Sequence, residues 1–475
     1  MSECFFNARD HGAEAIAQPS ETLTVENPQF GGLVKLTAGE TVAIYHPTKG
    51  CDYDSVGIQK AIDAAHAAGG GTVYVPAGDY LIAPIRLRSR VNLHLAPGAH
   101  LWGSPYLEDY FSDGDVIVSS VDEGFGRKDN GLSGAGKIRL VHAEDAEDVA
   151  ITGMGLISGQ SPRWIIPWLN SKPDDWFKER PTDTLIFHRC RRVRIEGIRI
   201  LDTPAWTLVF DNCEHVAVHG IDIRSTDVIN SDGIDLVNTS FATISDCKLH
   251  CTDDAICLKN MQHDATMGQI AVTNCIIRTL CNGLKIGTDT AGNFENITFS
   301  NIVIRNHEDD AHGAEGGVNL CALDGGFVRN VSVDNVVMDN VQCPFYLVAR
   351  CRKKNQKHRT PRPGRMSGIM LSNIQAEGAK TPAFVVGHED EPIRDVSISN
   401  LRVRKARQAY RQAIPEFDGT HPRYPTPYMF GERPDDRLPA AGLYLRHTSH
   451  VKLENIELDI PAADARPGLK VDQSE

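Results

Sequence analysis

Ile297-Thr298-Phe299-Ser300-Asn301 is one copy of a short unit that recurs through most of this chain. Two apolar residues flank a variable one; a polar residue follows, and the unit ends on Asn or Gly. Earlier copies are Val149-Ala150-Ile151-Thr152-Gly153, Val193-Arg194-Ile195-Glu196-Gly197, Val216-Ala217-Val218-His219-Gly220 and Ile270-Ala271-Val272-Thr273-Asn274. Later ones begin at Val331, Ile369, Val396 and Val451. Each copy alternates with period two, so each reads as a short strand with one face inward. The copies at 193 and 216 start 23 residues apart, those at 270 and 297 start 27 apart, and later gaps widen to 34, 38 and 55, with one return to 27. A solenoid accounts for both regularity and drift, because each coil buries its face only against its neighbours while loops on one side lengthen freely. A sandwich or propeller also has many short strands, but neither explains an Asn held at a single coil position. The expectation is an all-β, right-handed parallel β-helix, with the Asn residues turned inward as a ladder of side-chain amides.

Working outward, the first ~100 residues are expected to cap this stack. Asp54 or Ser55 is expected to N-cap a helix running to about Ala68, with Ile58, Ala61, Ile62 and Ala65 as its apolar stripe and Gly69-Gly70-Gly71 as its end. Residues 1–100 are then cap and first coils, continuous with a catalytic β-helix over 101–475. Residues 13–48 read as an insertion without an assignable role.

The bulk properties narrow the function. The 475 residues carry a net charge of −13, which argues against nucleic acid and against an anionic membrane surface as partners. No apolar run approaches the ~18 residues of a membrane span. The segment Met1-Ser2-Glu3-Cys4-Phe5-Phe6 lacks a basic region followed by an apolar one, so the expected location is cytoplasmic. The twelve cysteines include no C-x-x-C pair, and they are expected to be free thiols, many of them packed between coils. No cofactor or metal is expected.

The chemistry concentrates at Asn230-Ser231-Asp232-Gly233 and Thr252-Asp253-Asp254-Ala255. Asp232 and Asp253 are 21 residues apart, about one coil, so neighbouring coils are expected to hold carboxylates side by side. Carboxylates brought that close disfavour each other's ionised form, a usual sign of acid–base work.

These motifs resemble those of the polygalacturonase-like glycoside hydrolases, family 28. Gly69-Gly70-Gly71-Thr72-Val73-Tyr74-Val75-Pro76 is similar to the start of that family's β-helix. Asn230-Ser231-Asp232 resembles its N-T-D motif, and Thr252-Asp253-Asp254 its G-D-D motif. The resemblance implies hydrolysis of α-linked galacturonides with inversion. Asp253 is then the acid that protonates the departing oxygen, and Asp232 and Asp254 hold and deprotonate the attacking water. Asn230 is expected to orient Asp232.

Two departures from the family pattern stand out. Its G-H-G motif falls on Cys281-Asn282-Gly283, so Asn282 stands where a His should support the acid; Lys259 and Lys285 are the nearby candidates for tuning it. Its R-I-K motif, which grips the substrate carboxylate, falls near Gly317-Val318-Asn319, where both cations are missing. A desolvated carboxylate needs a partner, and Arg350 and Arg352 are the expected replacement. Trp206 and Trp164 are the candidates for stacking on a sugar ring.

The leading expectation is an exo-acting hydrolase that trims terminal galacturonic acid, or a related sugar, from pectin-derived oligosaccharides. A β-helix polysaccharide lyase or glycan-transferring enzyme acting on another, even neutral, oligosaccharide is the alternative within catalysis. A non-catalytic carbohydrate-binding β-helix is the alternative outside it. Monomer and homo-oligomer both stay open.

Overall fold

The computed structural model describes residues 4–26, 36–47, 53–111, 139–171, 180–306, 314–351, 362–405 and 438–474. The chain forms two compact units, residues 1–253 and 254–475. Each is built from parallel ladders, and the fold is a right-handed parallel β-helix.

In the first unit one ladder runs through the register Asn7–Tyr74–His94–Thr152–Glu196–His219–Ser245. A second runs through Leu81–Trp102–Ser158–Leu201–Arg224–His250. A third runs through Ile85–Val141–Leu185–Leu208–Ile234. The repeat units at Val149, Val193 and Val216 fall in one register, followed by Ala242. That last copy, Ala242-Thr243-Ile244-Ser245-Asp246, escaped the sequence pattern because Ala replaces the β-branched residue.

The second unit stacks Ile270–Ile297–Val331–Ile369–Val396–Val451 in one register, each at most 2% exposed except the terminal Val451. Similar β-branched shapes repeated along the stack fill the interior, which is what the period-two pattern encodes. The Asn residues that close each unit form a ladder, but on the outside. Asn274, Asn301, Asn335, Asn373, Asn400 and Asn455 are exposed and left-handed, with φ of 51–57°. The bend demands positive φ, which Asn tolerates best among residues with a β-carbon. From Asn301 onward each amide donates to the coil before it, as from Asn335 to Asn301 at 2.8 Å and from Asn455 to Asn400 at 2.9 Å. The expectation of an inward ladder is corrected: the bend turns the amide to solvent.

Among the described residues every cysteine is a free thiol. Cys190, Cys213, Cys247 and Cys275 sit at bends, each thiol donating to the carbonyl two residues back at 3.1–3.6 Å. Thr239 makes the same bond at 3.0 Å, so the position selects a small side chain with one weak donor.

Helix α1, Asp54–Ala67, buries Ile58, Ala61, Ile62 and Ala65 as its spacing predicts. Its cap differs from expectation. Tyr53 stands at the N-cap without a side-chain cap bond. Asp54 Oδ1 instead accepts from the backbone of Glu14 (2.7 Å) and Ala15 (2.9 Å), and Oδ2 from Leu81 (2.9 Å). Ser55 Oγ accepts from Ala83 N at 3.1 Å. Tertiary ties outcompete local capping because these backbone donors are removed from water and need an acceptor. The insertion contributes an antiparallel hairpin, Gln18–Thr24 with Thr41–His46. A second helix, α2, spans Ser161–Ser171.

Candidate active site

In the first unit the loop from Thr226 to Gly233 carries Asp232 and has no regular secondary structure of its own. Its shape is set by hydrogen bonds. Thr207 N donates to Asp232 O at 2.9 Å, and Leu208 N to Gly233 O at 3.1 Å. Ser231 Oγ donates to Ser225 O at 2.8 Å and accepts from Thr252 N at 3.2 Å. The Thr252 hydroxyl donates to Val228 O. Arg180, 5% exposed, clamps the loop to the preceding coil, donating from Nη1 to Pro204 O (2.6 Å) and Ile229 O (3.1 Å). Nothing in the local sequence marks Arg180, since its partners are carbonyls distant along the chain.

Asp232 itself is 3% exposed. Asn230, left-handed at φ 61°, donates its amide to Asp253 Oδ2 at 3.1 Å. The expected pairing of Asn230 with Asp232 is thus corrected: the reversed bend swings the amide across to the next coil. Trp206 is buried at 5% exposure, one coil before Asp232, in register with Asp183. Trp164 is half-buried in α2, with its indole N–H donated to Gly159 O at 3.2 Å and its ring edge-on to Tyr110.

The second unit holds Asp254, 3% exposed, in a fixed cradle. Asn282 Nδ2 donates to Asp254 Oδ1 at 2.7 Å, and Lys285 Nζ to Oδ2 at 2.6 Å. Burial pushes this carboxyl up, but the charges of Lys285 and Lys259 and the two hydrogen bonds outweigh it. Asp254 is held below the usual carboxylate range and stays ionised. Asn282 and Lys285 are thus bonded to Asp254, with the Lys259 charge beside them, where the resemblance placed all three around Asp253.

Behind Asn282 runs a buried relay that sequence reasoning missed. Tyr346 OH donates to Asn282 Oδ1 at 2.7 Å and accepts from Asn319 Nδ2 at 2.6 Å. Cys321 Sγ donates to Asn319 Oδ1 at 2.9 Å. The tyrosine fixes the amide's orientation, so that its N–H side must face the carboxylate. Gly316 makes room for this: a β-carbon there would lie 2.7 Å from Tyr346 Cε1 and 2.8 Å from Asn282 Oδ1. Lys285, Asn319 and Tyr346 are register partners on successive strands, Asn282–Thr290, Ala314–Ala322 and Val341–Ala349. That cross-strand column was invisible to a reading along the chain.

Tyr346→Phe is expected to leave Asn282 Oδ1 and Asn319 Nδ2 without their buried partner. The cost is about 1–3 kcal/mol, read as a lowered denaturation midpoint. The freed amide no longer favours the ionised Asp254, so the acidic limb of kcat/KM should move to higher pH. An unchanged pH profile would show that the relay does not reach the carboxylate.

Arg350 lies at the end of the same column of strands. It follows the strand Val341–Ala349, four residues beyond Tyr346, or about 13 Å along the strand. There it joins Arg446 and His388, whose charges with its own, after burial, hold the His447 imidazole below its usual range. Arg352 lies outside the described residues.

A profile of glycosyl hydrolases family 28 matches residues 125–415, more than half of the chain. The chain belongs to that family. This family 28 protein is a polygalacturonase-like glycoside hydrolase. It is 24% identical over 352 residues to a probable polygalacturonase of Vitis vinifera, covering 72% of this chain and 68% of that one. It is 27% identical over 221 residues to probable exopolygalacturonase B of Neosartorya fischeri, covering 42% and 45% respectively. In fold it is similar to the family 28 exopolygalacturonase of Yersinia enterocolitica. The TM-score is 0.67 at 16% identity, over 100% of this chain and 78% of that one. Among the described residues no helix is long and apolar enough to cross a membrane.

Proposed function

We propose that this family 28 enzyme is an exo-acting, inverting hydrolase that removes terminal α-linked galacturonic acid from pectin-derived oligosaccharides. Asp253 protonates the glycosidic oxygen as the bond to the anomeric carbon breaks. A water held by Asp232 and Asp254 attacks that carbon from the opposite face, and the product leaves as the β-anomer.

The observation that carries this reading is the cradle around Asp254. A carboxylate whose two oxygens take Asn282 and Lys285 keeps lone pairs for a water but loses basicity. Asp254 therefore orients the water, and Asp232 accepts its proton. The exo mode is supported by the likeness to probable exopolygalacturonase B. A cytoplasmic enzyme acting on imported oligosaccharides is supported by the free thiols.

One observation favours a second reading, a neutral sugar next to the cleaved bond. Where the family pattern has a gripping cation, this chain has Asn319, 1% exposed and hydrogen-bonded to Tyr346.

The test is product analysis on oligogalacturonides, rhamnogalacturonan fragments and neutral oligosaccharides, with and without chelator, followed by proton NMR in the first minutes. Release of monomeric galacturonic acid as the β-anomer, insensitive to chelator, is the expected result. Activity confined to neutral oligosaccharides would replace it with the second reading. A chelator-sensitive, unsaturated product absorbing in the ultraviolet would mean a lyase, and sugar bound but never cleaved a carbohydrate-binding protein.

A further inference from the structure

The hairpin Gln18–Thr24 with Thr41–His46 sits in the stretch to which the sequence assigned no role. It is anchored to α2 at both ends of that helix. Asn170 accepts from Glu26 N at 2.8 Å and donates to Thr24 O at 2.9 Å. Gln160, just before the helix, accepts from Tyr45 N at 2.7 Å and donates to Tyr45 O at 3.1 Å. Tyr45 also stacks flat on Trp102, with ring centroids 3.9 Å apart.

Between these clasps Val25 and Leu36 of the hairpin pack with Ile165, Ile166 and Leu169 of α2. The same cluster contains Val228, fully buried, with Ile229 packed against it. Those two residues immediately precede Asn230-Ser231-Asp232. At the helix start, Ser161 donates its hydroxyl to Asp227 Oδ2 at 3.2 Å and its backbone N–H to Asp202 O at 2.7 Å. Burial holds the Asp227 carboxyl above its usual range, and the charge of Glu40 in the hairpin adds to it while Arg224 opposes it. Asp202, on the preceding coil, is pushed up to about 7 by burial and then by the charge of Asp227.

We propose that the hairpin is a positioning arm: through α2 it seats Val228 and Ile229 and so fixes the loop that presents Asp232. Between its backbone ties a loop outside the regular strands takes its geometry from what packs against it, and small displacements of a catalytic group are costly in rate. The arm reaches the loop by apolar contact, while Arg180 and Thr252 hold its backbone. This rests on the assignment of Asp232 to catalysis.

The experiment compares the full chain with two variants. In one, residues 18–46 are replaced by a short Gly-Ser linker; the other is the double substitution Val25→Ala with Leu36→Ala. Amide hydrogen exchange at 226–233 is expected to speed at least tenfold, while the strands Trp206–Asp211 and Ile234–Val237 keep their protection. On oligogalacturonides kcat should fall at least tenfold with KM within about threefold. Native exchange at 226–233 in the double variant overturns the proposal, even if the linker variant fails to fold. Faster exchange with unchanged kcat overturns the link from loop to catalysis. Exchange needs no substrate, so an enzyme inactive on oligogalacturonides refutes the proposed substrate and leaves the arm's role to be read from the amides.

Discussion

Asp253→Asn should lower kcat on oligogalacturonides by about 10²–10⁴-fold, the usual contribution of a positioned general acid, with KM and the melting temperature little changed. The fold is expected to survive because Asn keeps an oxygen in the place of Oδ2 to accept the amide of Asn230. What is lost is the proton delivered to the leaving oxygen. The loss should therefore depend on the leaving group. With a nitrophenyl galacturonide, whose leaving oxygen needs no proton, Asp253→Asn should recover most of its rate. Asp232→Asn should remain slow on both substrates, since the attacking water still lacks its base. A loss below tenfold for Asp253→Asn on the oligosaccharide would remove it from the acid's role. Equal losses on both substrates would move it to the water side of the reaction.

The second large effect is expected from Lys285→Met. Breaking a buried pair by removing one partner leaves a charge in low dielectric and costs about 3–5 kcal/mol. The side chains of Lys285 and Asp254 are only 12% and 4% exposed, so solvent cannot replace the lost partner. The pH dependence follows from the direction of the Asp254 shift. Its folded-state value is depressed, so its stabilisation is present above the unfolded value near ~3.9 and is lost as pH falls through the folded value. With Lys285 gone its charge and its hydrogen bond no longer oppose burial and the folded value rises, so protonation relieves the variant. The stability gap between the two proteins should be widest at neutral pH and should narrow as pH drops toward 4. Urea denaturation at several pH values reads this directly, and a gap independent of pH would mean that Lys285 contributes packing alone. Activity should fall too, with its acidic limb displaced to higher pH.

The strands were legible because a parallel coil stacks like on like, and the period-two units at Val149, Val193 and Ile270 onward carry that rule in single residues. The Asp motifs were legible because their spacing equals a coil. What the sequence concealed depends on partners distant along the chain. Asp54 looks like a helix cap, yet three backbone donors from two other segments claim it. Asn230 looks like a partner for Asp232, but a positive φ turns it to Asp253. Asn282 looks like a damaged histidine site. Its function becomes readable only with Tyr346, which lies 64 residues further along the chain. Arg180 and the hairpin escaped for the same reason, since their roles lie in what they hold and not in their own composition.

The outer asparagine ladder of the second unit has direction. In four rungs, from Asn301 to Asn274, Asn335 to Asn301, Asn400 to Asn373 and Asn455 to Asn400, the later residue donates and the earlier accepts. These coils thus offer the same plug on one side and the same socket on the other, and where Asn373 departs it plugs into Asp334, the neighbour of Asn335. Coils joined by such a coupling are interchangeable parts, so the unit can lengthen or shorten by whole turns through duplication or loss without redesigning a joint. The residues around Asp254 belong to one particular turn and its neighbours, and they would travel unchanged while the scaffold beyond them grew.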